Sequence, residues 1–299
     1  MSLVIVGSLA FDTIETPYGR KERIVGGSST YCALAASFFT QPGIVSVIGE
    51  DFPEETINFF KKRKIDLEGI SRKAGQTFHW EARYGLDPNQ RTTIKTELNV
   101  FENFRPTLPS EYKKAEILFL GNIDPDQQDD ILVQANQAKL VAMDTINLWI
   151  NTKPDSVLKV LEKVNIFFAN EEEIRLLTKT TNLIKAGKML LDKGPAFIVM
   201  KKGEHGALVL GQEFIFAVLA HPCEEVIDTT GAGDSFAGGF LGYLDKIKTF
   251  DQESIRKAAV YGSVMASFVI EDFGIERFKN LSAYEIKSRY NVLKKLVSF

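Results

Sequence analysis

Short apolar runs alternate with helix-like segments along most of this chain, and this alternation constrains the fold most. The runs at 3–6 and 44–48 are continuously apolar, as expected for strands that are buried on both faces of a parallel sheet. Further strands are predicted at 116–120, 139–143, 165–169 and 197–201, with an antiparallel pair at 207–210 and 214–219. Helices are predicted near 53–64, 126–137, 154–163, 171–178, 182–193, 232–246, 252–270 and 282–296. The pattern predicts an α/β fold, a doubly wound and mostly parallel sheet with helices on both faces.

Two segments interrupt the alternation. Residues 13–25 are polar and rich in turn residues, whereas residues 75–105 alternate with a period of two. We expect both to form a small β-sheet lid on one edge of the core, within a single domain of residues 1–299. In the second segment His79 and Arg83 share one face and Trp80 lies on the other, and the pattern leaves open which of them touches a substrate. The apolar face can pair with a second chain, as a homodimer, or close on its own core.

Composition excludes several classes of protein. Of the 299 residues, 44% are hydrophobic and 25% are charged, which is typical of a globular protein. The net charge of −3 argues against nucleic-acid binding, which draws its affinity from basic residues that neutralise phosphates. The two cysteines, Cys32 and Cys223, form neither a metal-ligand spacing nor a disulfide framework. With no apolar run of membrane-spanning length and no signal peptide, we expect a cytoplasmic protein that does not bind a membrane.

The most specific segment is residues 226–240, VIDTTGAGDSFAGGF. Small residues let the backbone approach a ligand, and the N–H groups at the start of the following helix suit a phosphate. A carboxylate beside an anion site is unfavourable unless it handles a proton. We therefore predict phosphoryl transfer with Asp234 as the general base. The simpler alternative is a turn followed by an acid that complements the helix dipole.

Other nucleotide-binding motifs are missing from the sequence. It has no Gly-x-x-x-x-Gly-Lys-Ser/Thr, no Gly-x-Gly-x-x-Gly after the first strand and no protein-kinase signature. Phosphate handling must therefore depend on the loop at 228–234.

Several weaker candidates each have a structural alternative. The pair Gly26-Gly27 is either a turn before a capped helix or a close approach to a polyol substrate. Asp12 follows the first strand and is either a turn residue or a ligand of the substrate. Asn170 and Glu173 fit a helix N-terminus, but their spacing also lets both face a magnesium ion, which prefers oxygen ligands.

The string DTTGAGDSF at 228–236 resembles the signature of the ribokinase-like (PfkB) carbohydrate kinase family, and motif order and spacing agree over most of the chain. The resemblance implies an ATP-dependent kinase that phosphorylates a hydroxyl of a sugar with the help of Mg²⁺. It implies that Asp234 is the base and that Gly231, Ala232 and Gly233 form an anion turn beside it. The residues implied to bind the substrate are Asp12, Gly26, Gly27 and Tyr31, and those implied to bind the nucleotide are Asn170, Glu173, Lys201, Gly203, Gly206 and Thr230. Glu173 would hold Mg²⁺ through water, and Asp228 would bind a monovalent cation such as K⁺, facing a loop near 269–274.

Three positions depart from the family. Tyr31 stands where members of the family often have an Asn that hydrogen-bonds the substrate, and Ser28 stands where ribokinase has a Lys directly after the glycines. Both departures argue against ribose as the substrate. Lys201 replaces a common Thr and either pairs with phosphate or points to solvent. A nucleoside kinase remains an alternative, since the Tyr31 ring can stack on a base. A non-catalytic sugar or nucleotide sensor is a third alternative, against which the joint presence of Asp234, Asn170 and Glu173 argues.

Overall fold

The computed structural model describes residues 2–298. Its strands, in chain order, are β1 (Leu3–Val6), β2 (Ala10–Thr16), β3 (Gly19–Gly26), β4 (Gly43–Ile48), β5 (Asp66–Arg72), β6 (Phe78–Tyr84), β7 (Arg91–Glu97), β8 (Ile117–Leu120), β9 (Leu140–Asp144), β10 (Ile166–Asn170), β11 (Phe197–Lys201), β12 (Ala207–Gly211) and β13 (Phe214–Val218). Its α-helices are α1 (Ser28–Ala36), α2 (Glu54–Lys62), α3 (Pro125–Gln134), α4 (Asn147–Thr152), α5 (Pro154–Leu161), α6 (Glu171–Thr178), α7 (Leu183–Leu191), α8 (Ala232–Ile247), α9 (Gln252–Val269), α10 (Glu276–Lys279) and α11 (Ala283–Leu296).

Nine strands form the large sheet in the order β13-β12-β11-β10-β9-β8-β1-β4-β5. The seven strands from β11 to β5 run parallel, whereas β12 and β13 add an antiparallel edge. Since parallel strands end at the same edge, the carboxyl ends of β9, β10 and β11 place Asp144, Asn170 and Lys201 side by side. This edge of the sheet is where open α/β folds bind ligands.

The side chains of the strands divide the interior into two cores. Ile5, Phe119 and Phe168 pack on one face of the sheet with α1, α8 and α9. Val6, Leu120 and Met143 pack on the other face with α3, α5, α6 and α7. Successive side chains of each central strand point to opposite helix layers, and both sets are apolar. This explains why the sequences of these strands are continuous apolar runs.

Helices α1 and α8 lie unusually close together because their contact consists of small residues. A Cβ atom on Gly238 would overlap the carbonyl oxygen of Cys32, and one on Gly242 would lie 2.9 Å from the Cα atom of Ala36. At the start of α8, seven residues before Gly238, the N-cap residue Gly231 packs against the ring of Tyr31. The contacts advance in the same direction along both helices, so their N-termini lie at the same end, next to the carboxyl ends of the strands.

The smaller sheet has the order β3-β2-β6-β7, and it is made by the two segments that were predicted to form a lid. Strand β2 pairs parallel with β6, which joins the two hairpins into one sheet. The first hairpin begins earlier than predicted, at Ala10, so Asp12 lies within β2 of the lid and not just past the end of β1.

The fold class and the predicted strands and helices are confirmed. The sequence analysis missed β5, whose residues are mostly part-exposed, as well as the short helices α4 and α10. None of the helices within residues 2–298 combines the length and the apolar character that crossing a bilayer requires.

The contact between α1 and α8 predicts an unusual outcome for Gly238→Ala. Alanine favours a helix interior over glycine by about 1 kcal/mol, yet here the new methyl group would overlap backbone atoms that cannot move alone. We expect the free energy of unfolding to fall by about 1–3 kcal/mol, measured by urea denaturation.

Gly187→Ala in α7 is the matched control. There the added methyl would lie 2.5 Å from the terminal methyl of Met200 and 2.9 Å from a terminal methyl of Leu210, and the ends of both flexible side chains can shift. We expect this variant to unfold at an unchanged or higher urea concentration, and equal losses in both variants would contradict the proposed role of the α1–α8 contact.

Candidate active site

The segment 228–234 forms a turn that leads into α8. Gly231 is the N-cap residue with φ of 75°, a left-handed conformation that favours glycine. The Ala232 N–H donates to the carbonyl of Thr229 at 3.2 Å, whereas the Gly233 N–H has no backbone acceptor among residues 2–298. The turn therefore presents a free N–H group and the positive end of a sixteen-residue helix to the site.

Asp234 lies in the first turn of α8. Desolvation by burial and the nearby Asp144 carboxylate raise its pKa to about 6, while Lys201 and Arg91 act in the opposite direction. The carboxyl is thus mostly ionised at neutral pH but can still accept a proton. This is the protonation behaviour that a general base requires.

The lid and the start of α1 together enclose Asp12, which is 3% exposed. A Cβ atom on Gly26 would overlap the Asp12 carboxyl group. Gly27 has φ of 95°, and a Cβ atom there would lie 2.6 Å from the Ser8 carbonyl oxygen. Both glycines are therefore required by close contacts. Burial, followed by the negative charges of Asp228 and Asp234, raises the pKa of Asp12 to about 8.

Tyr31 is 1% exposed, and its ring packs against Gly231. Its hydroxyl group is buried and lies beside the Asp12 carboxyl group, whose pKa it acts to lower. The ring face is covered by the anion turn, which leaves no room there for stacking on a base. Ser28, the other departure from the family pattern, is also used internally, because it exchanges hydrogen bonds of 3.1 Å with Ser8.

Asn170 and Glu173 form a capping box at the start of α6. The Asn170 side chain accepts from the Glu173 N–H at 2.9 Å, and the Glu173 carboxylate accepts from the Asn170 N–H at 2.8 Å. Glu173 is 4% exposed, and burial raises its pKa to about 7 although Lys201 lowers it. The helix cap, which the sequence offered as the alternative to a magnesium site, is therefore present. The same contacts hold Glu173 in place beside Lys201.

Lys201 points into the site and not to solvent. Its ammonium group donates to the Asp144 carboxylate at 2.6 Å, and it lies 3.0 Å from the position that a Cβ atom on Gly233 would occupy. Asp144 and Glu173 outweigh the desolvation of the ammonium group and raise the pKa of Lys201. The sequence analysis missed Asp144, because a single aspartate at the end of a strand carries no motif.

The acidic groups around Lys201 suit a magnesium ion that is held indirectly. Asp144, Glu173 and Asp234 supply hard oxygen atoms of the kind that Mg²⁺ prefers. Burial raises the pKa values of Glu173 and Asp234, and a divalent cation nearby would lower them again. Within residues 2–298 no three acidic or His/Cys side chains come close enough to bind a metal by themselves. A magnesium ion here would therefore take most of its ligands from water and phosphate, as it commonly does.

Asp228 is buried beneath the anion turn and touches the later loop. Its carboxylate accepts from the Thr230 N–H at 2.9 Å and from the Gly274 N–H at 3.4 Å. The Ile227 N–H donates to the Ile270 carbonyl at 2.8 Å. The two segments that the resemblance pairs around a monovalent cation are therefore in contact.

The lid contacts the two threonines that precede the anion turn, and it also contacts the loop after β11. The hydroxyl groups of Tyr84 and Thr230 lie 3.0 Å apart, and Thr229 donates to the carbonyl of Pro88 at 2.7 Å. Asn89 at the tip of the lid hairpin donates to Glu204 at 2.6 Å. In this conformation the lid covers the turn that precedes Asp234.

The two faces of the lid differ in function. Trp80 pairs with Asp12 across β2 and β6, so both side chains lie on the face toward the core. His79 contacts Thr13 and Glu97 at 2.9 Å, and Arg83 pairs with Glu15 at 3.0 Å. These two residues stabilise the lid itself, while the half-buried Trp80 lies beside Asp12.

The chain matches known proteins along nearly its whole length. The pfkB family carbohydrate kinase pattern matches residues 2–279. A cytidine kinase from Thermococcus kodakarensis is 30% identical over 81% of this chain and 88% of its own length. A ribokinase from Haemophilus influenzae is 28% identical over 92% of this chain and 94% of its own.

The fold has close structural relatives as well. A putative ribokinase II from E. coli, solved in complex with ATP and Mg²⁺, has a TM-score of 0.77 and 18% identity, and the match covers 98% of this chain and all (100%) of that one. At this identity the likeness concerns the fold, and it agrees with the large parallel sheet and small separate sheet described above.

The anion turn, the acids around it and these matches agree with one another. The relatives are kinases that transfer a phosphoryl group to a hydroxyl group of a sugar or nucleoside. This chain therefore belongs to the pfkB family of carbohydrate kinases and is a phosphotransferase of that family.

Proposed function

We propose that this protein is an ATP-dependent nucleoside kinase that uses Asp234 as its general base. The observation that carries the choice of acceptor is the 30% identity to a cytidine kinase over 81% of the chain. The surroundings of Asp12 support it, because a ribose hydroxyl bound by Asp12 would leave an attached base close to Trp80. The ring of Trp80 then takes the stacking role that the sequence suggested for Tyr31.

The different pKa values of the two buried aspartates support a division of roles. Asp12, with a pKa of about 8, holds a proton at neutral pH and can both donate to and accept from hydroxyl groups of a sugar. Asp234, with a pKa of about 6, is the ionised partner and accepts the proton of the attacking hydroxyl. Pairs of carboxyl groups whose environments separate their pKa values commonly divide the work in this way.

The reaction follows from these positions. The hydroxyl oxygen of the nucleoside forms a bond to the γ-phosphorus of ATP, the bond from that phosphorus to the bridging oxygen of ADP breaks, and the hydroxyl proton passes to Asp234. The free N–H group of Gly233, at the positive end of α8, would face the transferred phosphoryl group, where charge must be stabilised. A magnesium ion held through water near Glu173 would neutralise phosphate charge. Gly203 and Gly206 border the nucleotide in this proposal.

Two further expectations are not needed for this mechanism. A monovalent cation at Asp228 and a homodimer formed through the lid remain predictions from the sequence.

Substrate preference tests the choice of acceptor. We expect the protein to release ADP with pyrimidine or purine nucleosides at a kcat/KM at least tenfold above that with free ribose or hexoses. Trp80→Ala should raise the nucleoside KM by roughly tenfold to a hundredfold, because stacking of a base on an aromatic ring contributes about 1–3 kcal/mol.

Trp80→Phe serves as the matched control, since it keeps an aromatic face and should stay within a few-fold of the unmodified protein. A clear preference for free sugars, with Trp80→Ala unchanged, would favour a sugar kinase over our proposal.

Removal of the base tests the role of Asp234. Asp234→Asn keeps the shape of the side chain but cannot accept the proton, so we expect kcat to fall by roughly 10²–10⁴-fold. The affinity for ADP, measured by calorimetry, should change little. Full turnover in this variant would rule out Asp234 as the base.

The acidity of Asp234 also predicts a pH profile. Its pKa is raised to about 6, and only the ionised form accepts a proton. We therefore expect kcat/KM to fall as the pH drops through about 6, approaching a tenfold loss for each further pH unit. An acid limb that lies below pH 4 would be inconsistent with this assignment.

A further inference from the structure

The ion pair between Lys201 and Asp144 is buried in the active site and has no part in the mechanism above. The Lys201 side chain is 18% exposed and that of Asp144 is 6% exposed. Buried ion pairs are poor stabilisers, because desolvation of both charges offsets most of their attraction. A lysine at this position therefore calls for an explanation other than stability.

The ammonium group still has donors to offer. It makes one hydrogen bond, to Asp144, and its other N–H groups have no acceptor within the described chain. It also lies 3.0 Å from the Cβ position of Gly233, whose N–H is itself without a backbone acceptor. Two kinds of unpaired donor, an ammonium group and a helix N-terminus, therefore converge on one small volume.

The surrounding charges also hold Lys201 at this place. Its ammonium group interacts electrostatically with the carboxylates of Asp144, Glu173 and Asp234, and Asp144 fixes its position by a direct hydrogen bond. An ammonium group held here lies next to the base and to the anion turn, which is where negative charge accumulates during phosphoryl transfer. Fixed cations of this kind act without having to reorganise during the reaction.

We propose that Lys201 is a catalytic residue that binds the transferred phosphoryl group of ATP, and that Asp144 is a positioning residue that holds Lys201 toward it. Lys201 stays protonated throughout, and no bond to it forms or breaks. The inference rests on the proposed phosphoryl transfer, but it holds for any hydroxyl acceptor, nucleoside or sugar.

Lys201→Met tests the catalytic role. We expect kcat to fall by about a hundredfold or more with the acceptor KM within threefold, because the charge is needed only at the phosphoryl group. The affinity for a non-hydrolysable ATP analogue should weaken about tenfold, measured by calorimetry without acceptor. Lys201→Arg should recover part of kcat. A loss of kcat below tenfold, or an unchanged affinity for the analogue, would overturn the proposal.

The neighbouring lysine provides a matched control. Lys202 forms its ion pair with Glu171, away from Asp144 and Gly233. We expect Lys202→Met to leave kcat and the affinity for the analogue within threefold of the unmodified protein. If Lys202→Met and Lys201→Met lose activity equally, a general effect of surface charge accounts for both and the proposal fails.

A double variant separates catalysis from stability. Lys201→Met alone leaves the buried Asp144 carboxylate unpaired and should lower the melting temperature. Adding Asp144→Asn removes that charge, so the melting temperature should recover while kcat stays low. If kcat recovers together with the melting temperature, the pair is only structural.

The role of Asp144 has its own test. Asp144→Asn alone should lower kcat at least tenfold. When it is added to Lys201→Met, kcat should fall by less than a further threefold, since the two residues act through one group. Independent, multiplying losses would contradict the positioning role.

All variants are measured with whichever acceptor the unmodified protein uses best. If that acceptor is a free sugar, the proposed nucleoside kinase function fails while the assignment of Lys201 and Asp144 is still tested. If Lys201→Met phosphorylates nucleosides normally, the assignment of Lys201 and Asp144 fails while the proposed nucleoside kinase function stands.

Discussion

The active site depends on the close contact between α1 and α8. Because Gly238 and Gly242 carry no side chain, the two helices approach until backbone touches backbone, and their N-termini end side by side. One N-terminus follows Gly26 and Gly27 next to Asp12, and the other follows Gly231 and precedes Asp234. The segments that we propose to bind the substrate and the phosphate lie far apart in the sequence, and they are joined by a helix contact that larger side chains would prevent.

Burial around this contact determines the chemistry of the acids. Asp12, Glu173 and Asp234 all have raised pKa values, mainly because they are desolvated, yet the values differ with the neighbours of each group. Lys201 and Arg91 lower the pKa values of Glu173 and Asp234, whereas the negative charges of Asp228 and Asp234 add to the rise for Asp12. These neighbours keep the Asp234 carboxyl group mostly ionised at neutral pH while Asp12 stays protonated. The roles that we propose for the two aspartates follow from this difference in their surroundings.

The sequence predicted the parts of the site that have a local pattern. The anion turn, the capping box and the Gly26-Gly27 pair each consist of consecutive residues whose types imply their conformation. Asp144 escaped detection because its role arises from strand pairing, which brings β9 next to β10 and β10 next to β11. The direction of Lys201 was likewise open, since a lysine at a strand end can equally reach solvent. The contact of Tyr31 with Gly231 was likewise not predictable, because it joins segments that are distant in the sequence.

The residues that lead into Gly231 depend on the lid for support, and no single motif reveals this. Its hairpin binds the anion turn through Tyr84 and Pro88 and binds the loop after β11 through Asn89. Lifting the lid would therefore release Thr229 and Thr230, the two residues that lead into Gly231. The anion turn would lose its outside support at the same moment as the site opened to water. We therefore expect the order of this turn, whose N–H groups we propose as donors to the phosphoryl group, to be coupled to closure of the lid over the substrate.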